Sequence, residues 1–424
     1  MKLATIGHGL LAVTAFAALG LGIASCSPSD TIDYLFVTTN SSSAACGVNG
    51  QVSAFHVDSQ SGAIDLVSGT PVCSQGQNPV AEVASPNGQY LYVVNHDSSN
   101  VAEFVIGTNG QLSFGHTYTT PGSEPLALAI NSTGTLLFVL DYYQPGFSDT
   151  APGPGALVVY PVNSDGSLGT PVANGGLSYT PLQCFPGGVA VSPNDAYVYV
   201  TNTNSVVATT APPTTPTPPS TPPSCPTQGT VSGFTLSSSG TLTAVPGSPF
   251  PAGTTPTGIA IDQTSRFLYA TDSVQNQLIV WDIQGGGGLQ PSLNGPFGTG
   301  IFPVNLVVDP RNEYLYVSNF NADSVSEYTI SQATGQPSGL ASSGFSTRDS
   351  PTCILVDPAF GRYVYASLAS TNEVAAAVLN PNTGGLTSVQ NQPYPVVGNA
   401  TCVAAVAHGN HSTQYVSSTS GAGN

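Results

Sequence analysis

Positive charge is nearly missing from this chain. Its 424 residues hold five cations, Lys2 with Arg266, Arg311, Arg348 and Arg362, against 22 acidic side chains, for a formal net charge of −17. Such a surface repels phosphate backbones, which excludes nucleic acid as a partner. Charged residues of either sign make up only 6% of the chain, so solubility rests on Ser, Thr, Asn and Gln. Long apolar runs are missing too. The uncharged stretch from Leu10 to Ile23 is too short for a spanning helix, and behind Lys2 it reads as the core of an export signal. No Cys-x-x-Cys pair occurs, which removes the usual zinc and dithiol readings. No Gly-x-Ser-x-Gly elbow is present. The glycine run Gly285 to Gly288 has no βα unit around it and so is no phosphate cradle. Asn321 to Ser324 and Asp97 to Asn100 lack the spacing of a calcium loop and read as turns. No cofactor is expected.

What the chain has in abundance is glycine, 47 residues, and proline, 36, as a turn-rich all-β fold requires. It also repeats itself. Residues 256–272 read as two short strands around a polar turn, and Pro79 to Asn95, Pro125 to Asp141, Pro186 to Asn202, Pro303 to Asn319 and Pro351 to Leu368 repeat the pattern. The first copy survives as its second half, Tyr34-Leu35-Phe36. The second strands start at Tyr34, Tyr90, Leu136, Tyr197, Phe267, Tyr314 and Tyr363, giving seven copies spaced by 46 to 70 residues. Repeats of this length with several strands each predict a propeller. The expected architecture is an all-β, seven-bladed propeller over 34–408 with four-stranded blades. The repeats are out of phase with the chain ends, so the orphan strand Thr401 to Val406 is expected to complete blade 1 beside Tyr34 to Thr39. Inserts are expected at 143–155 and at the proline-rich 203–228, and residues 409–424 as a loose tail.

The Tyr-Val-Thr-Asn run at 199–202, with Tyr316 to Asn319, Tyr92 to Asn95 and the turns Ser192-Pro193-Asn194 and Ser85-Pro86-Asn87-Gly88, resembles the lactonase family of seven-bladed propellers. That family includes 6-phosphogluconolactonase-type and muconate-lactonising enzymes. The resemblance implies a lactone-type hydrolase, although its motifs belong to the scaffold. It also implies basic side chains that hold phosphorylated or multiply carboxylated substrates. With so few cations here, a neutral lactone or sugar lactone suits the chain better. The alternative is a non-catalytic module binding a glycan or protein through its channel-mouth loops.

With the four strands of each repeat lettered a to d from the channel outward, a and b being the two strands of the repeated pattern, topology puts the loops joining strands d–a and b–c at one mouth of the channel. Glu82 is the candidate general base: its repeat equivalents Leu128, Val189, Ile259, Leu306, Ile354 and Val403 are all apolar, and a lone acid on an inner strand is either paired or kept neutral by a raised pKa. His96 is a candidate proton carrier, and Arg348 a candidate for holding substrate or polarising its carbonyl. The other three arginines fall in the a–b turns, on the opposite face.

The run Ile23-Ala24-Ser25-Cys26 resembles a bacterial lipobox, which implies cleavage of residues 1–25, lipidation of Cys26, a tether over 26–33 and an envelope location. The six later cysteines fall toward one face. Topology favours the pairs Cys46–Cys73, Cys184–Cys225 and Cys353–Cys402, the last across the blade 7/blade 1 seam.

Overall fold

The computed structural model of the chain describes residues 30–41, 43–203, 228–340 and 344–409. The expected signal segment, Cys26, most of the 203–228 insert and nearly all of the tail lie outside them. Seven antiparallel sheets each form one blade. Their innermost strands are Ala400–Ala407 in blade 1, then Pro79–Ala84, Ser123–Ile130, Pro186–Val191, Pro256–Ile261, Pro303–Val308 and Pro351–Val356. Each touches the next in a closed ring around a central channel.

Strand b of every blade is covered by neighbouring blades on both faces. Tyr314–Asn319 and Tyr363–Leu368 are buried at every position. Such strands read as continuous apolar and aromatic runs because no face is left for water. An aromatic near the centre of strand c pairs with the second residue of strand b, as in Leu91 with Phe104 and Leu268 with Trp281.

The tyrosines of strand b join one blade to the next. Tyr92 donates to the Gly166 carbonyl, Tyr199 to Gly287, Tyr269 to Gly335, Tyr316 to Gly384 and Tyr365 to Gly62, all at 2.7–2.8 Å. Each acceptor lies in the c–d turn of the following blade. Those glycines have positive φ, 65° at Gly335, and lie under an aromatic ring: a Cβ on Gly335 would stand 2.3 Å from the Phe267 ring.

The expectation of four strands per blade holds for blades 2 and 3. The other five sheets have five, because the outer strand is broken into two short pieces that both pair with strand c. In blade 5, Leu289–Pro291 and Phe297–Gly298 both pair with Gln277–Ile283. Pro71, Pro249, Pro296 and Pro393 sit in four of these breaks. Proline has no N–H to donate, so it interrupts the ladder where it falls.

The ring closes as expected. Ala400–Ala407 pairs antiparallel with Thr31–Thr39, with Val37 opposite Val403 and Thr38 opposite Cys402. The first strand starts at Thr31, three residues before Tyr34. Two expected disulfides are present, Cys46–Cys73 and Cys353–Cys402, with Cα separations of 5.3 and 4.9 Å. Cys184 is also disulfide-bonded, and its expected partner, Cys225, lies outside the described residues.

Candidate functional site in the central channel

Inner strands begin at the mouth where the d–a and b–c loops meet. Gln77 and Asn78 of one loop bond Ser98 and Asp97 of the other there. Below this mouth lies a cavity of about 250 Å³ to which all seven inner strands contribute. Its wall is mostly aliphatic, with Leu126, Leu128, Val189, Ile259, Ile354 and Val403 among its residues. The wall glycines are there for packing: a Cβ on Gly258 would stand 2.8 Å from the Asn305 Cα, and one on Gly188 2.8 Å from the Thr257 carbonyl.

Glu82 is the one ionisable side chain in that wall among the described residues. It is 7% exposed and faces the fourth residue of its strand b, Val93; Leu128, Val189 and Ile259 hold the same rung in their blades. Its Oε2 accepts a 2.5 Å hydrogen bond from the Thr38 hydroxyl of blade 1, while Oε1 is buried without a partner. Burial pushes its pKa up to about 8, against hydrogen bonds from Thr38 that pull it down. Near neutral pH the group is mostly a neutral acid, and it becomes a base as pH approaches 8.

His96 and Arg348 are not brought to it. His96 is at the rim, its Nδ1 2.7 Å from Asp97 Oδ1 and its Nε2 3.9 Å from Glu124 Oε2, and neither it nor Arg348 lines the cavity. Arg348 is exposed in the loop before strand a of blade 7, at φ 69°. The neighbouring Asp349 carboxylate accepts instead from the Ser370 and Thr371 amides and the Thr371 hydroxyl. The acids and amides that end strand b are loop anchors. Asp272 accepts the Thr254 and Thr255 amides, Asn319 that of Gly300, and Asp141 that of Gly122. Asp141 resembles Glu82 in being buried, in having one unpartnered oxygen and in a pKa that burial pushes to about 8, but it does not line the cavity.

Three features in or behind the wall were not expected as parts of the site, the Cys353–Cys402 bridge having been expected only at the seam. Thr38 and Thr401 belong to the seam of blade 1, and their hydroxyls lie 2.9 Å apart. The Cys353–Cys402 disulfide lines the cavity as well as bridging the seam. Asn305 adds an amide, 4.0 Å from Cys353 Sγ. Among the described residues no group of three His, Cys, Asp or Glu could hold a metal ion, and no helix is long and apolar enough to cross a membrane.

A closed seven-bladed propeller with one buried acid in its channel is the class that this geometry defines. The family model described as "Lactonase, 7-bladed beta-propeller" matches residues 34–175 and 227–356, and the chain belongs to that family. No curated protein matches the sequence. Among solved structures, the periplasmic gluconolactonase of Pseudomonas aeruginosa is similar at 17% identity and a TM-score of 0.69, covering 89% of this chain and all of its own. A candidate 6-phosphogluconolactonase from Bacteroides fragilis is 18% identical with a TM-score of 0.65, over 90% of this chain and 99% of its own. One from Bacteroides uniformis is 16% identical with a TM-score of 0.67, over 89% and 100%. At these identities the likeness is one of fold.

Proposed function

We propose that this chain is an exported hydrolase of an uncharged lactone, a sugar lactone among them, with Glu82 as its general base. The carrying observation is Glu82 itself: a buried carboxyl in the channel wall, one oxygen held by Thr38 and the other unpartnered. Ionised Glu82 takes a proton from a water held at Oε1 as that water adds to the lactone carbonyl. It returns the proton to the ring oxygen as the ring opens, so water and lactone become one hydroxy acid. The product is an anion inside a strongly acidic protein, which favours its release. The same field disfavours phosphorylated substrates, for which the wall offers no cation. A screen of neutral against phosphorylated lactones tests the class. In the active protein, Glu82→Gln is expected to lower kcat/KM by roughly 10²–10⁴ with the melting temperature kept. Unchanged turnover would remove Glu82 from the mechanism.

A second reading has its own support. Among the described residues the wall holds no second acid–base group and no cation, while His96 and Arg348 lie away from it. A non-catalytic module that binds a glycan through the mouth needs no more. Glycan binding without turnover of any lactone would favour it.

Sequence and disulfides together support an exported, lipid-anchored location. Five disulfide-bonded cysteines, Cys46, Cys73, Cys184, Cys353 and Cys402, suit an oxidising compartment, and the lipobox-like run ending at Cys26 supports a lipid anchor. Cys26→Ser is expected to leave the membrane fraction; a variant that still pelleted with membranes would argue for another anchor.

A further inference from the structure

Glu82 is held by a hydroxyl from a different blade, and a second hydroxyl of that blade holds the first. Thr38, on strand b of blade 1, donates to Oε2 at 2.5 Å. Thr401, on the inner strand of the same blade, lies 2.9 Å from the Thr38 hydroxyl, 3.1 Å from the Thr38 carbonyl and 2.7 Å from the Pro79 carbonyl of blade 2. Its neighbour Cys402 pairs in register with Thr38, at the point where the ladder slips between Thr38 and Thr39. The ladder is irregular at this spot, and the disulfide to Cys353 of blade 7 ties it from the other side.

We propose that Thr38 and Thr401 form a reversible hydroxyl relay that positions Glu82 in both of its protonation states, and that the Cys353–Cys402 disulfide locks the relay in place. A hydroxyl has one proton to give and two lone pairs to receive. With Glu82 neutral, its proton sits on Oε1, Thr38 donates to Oε2, and Thr401 gives its proton to the Pro79 carbonyl. With Glu82 ionised, Thr38 still donates to Oε2, and Thr401 turns its proton from the carbonyl to the Thr38 hydroxyl. Both states are satisfied by rotating hydroxyls, with no heavy atom moved, as a group that takes and returns a proton in each cycle requires. Among the described residues no charged group enters this control: burial raises the Glu82 pKa and hydrogen bonds from Thr38 lower it. The lock forms only by oxidation, so the site is complete only in a compartment that permits disulfides.

The inference rests on Glu82 as the acid–base group of the channel, but its test needs no substrate. The chain has six glutamates, so ¹³C-carboxyl glutamate labelling gives few resonances, and Glu82→Gln assigns the one of interest. In the wild type that resonance is expected to titrate near 8. Thr38→Val, which removes the donor to the ionised form, is expected to raise the midpoint by about one pH unit. Thr401→Val removes the hydroxyl that donates to Thr38 in the ionised form and is expected to raise it by a smaller amount. Thr38→Ser and Thr401→Ser should restore the wild-type midpoint, and Thr38→Ala replaces the valine variant if that one does not fold. Removing the disulfide with Cys353→Ser and Cys402→Ser should shift the midpoint as Thr401→Val does and add nothing in the Thr401→Val background. A Thr401→Val midpoint at or below the wild-type value would overturn the relay. An additive effect of disulfide removal, or loss of the fold without it, would overturn the lock. The predicted shifts in a protein that turns over no lactone would refute the hydrolase while leaving the relay standing.

Discussion

At the scale of single residues, the site turns on how a protein keeps one acid where six equivalent positions are apolar. Glu82 gains no opposite charge. It is tolerated because it is neutral through most of the neutral range and because Thr38 satisfies one oxygen. Activity that needs its ionised form should therefore rise with pH and level off above about 8, and the rise should vanish with Glu82→Gln. A profile already flat from pH 6 to 9 would assign the base to another group. Glu82 was legible in the sequence because a repeat supplies its own controls: one acid against Leu128, Val189, Ile259, Leu306, Ile354 and Val403 needs no second chain for comparison. Its support was not legible. Thr38 and Thr401 lie about 360 residues apart in the chain, on the half-repeats at its two ends, and look like ordinary strand threonines. His96 and Arg348 show the opposite limit, because topology assigns a residue to a mouth without saying whether its side chain turns inward.

Single elements explain why the repeats look as they do. Strand b carries tyrosine two residues into the motif because that hydroxyl reaches a turn carbonyl of the next blade, and the turn carries glycine because the ring lies against it. The two halves of this joint should fail differently. Tyr269→Phe loses a buried hydrogen bond and leaves the Gly335 carbonyl unpaired, a cost of about 1–2 kcal/mol. Gly335→Ala must move the Phe267 ring and hold alanine at positive φ, so it should cost more, about 2–4 kcal/mol. Chemical denaturation of both variants measures the order, and a milder effect for the alanine would mean that the joint is slack. The periodic strands a, b and c were readable from these patterns. The split of strand d was not, because fragments of two or three residues carry no period, although the prolines in the breaks were a signal that could have been used.

For the whole molecule, the question is what holds a ring whose last strand comes from the far end of the chain. The ladder between Ala400–Ala407 and Thr31–Thr39 and the Cys353–Cys402 bridge are two parts of the answer. A third is a buried pair of acids at the same seam. Asp33, on the first strand, faces the Asp357 carboxyl of the blade 7 a–b turn, and both are fully buried. Asp357 is committed to the turn, accepting the Phe360, Gly361, Arg362 and Tyr363 amides. Asp33 has no such set, and burial together with the Asp357 charge holds its pKa well above the usual carboxylate range. Its folded pKa is thus higher than its unfolded one. The folded state binds the extra proton, so this contribution to stability is complete below about pH 4 and is lost as pH rises through the folded value. Glu82 and Asp141, both at about 8, act in the same direction, and so does relief of the −17 net charge on acidification. The melting temperature is therefore expected to be higher at pH 5 than at pH 8.5, the reverse of a fold held by ionised carboxylates. Asp33→Asn keeps a neutral partner for Asp357 at every pH, so it should change little at pH 5 and narrow the gap at pH 8.5. Calorimetry of both proteins at the two pH values decides the matter. A wild type more stable at pH 8.5, or a gap that Asp33→Asn leaves as wide, would mean that the seam is held by its ladder and disulfide without help from a proton.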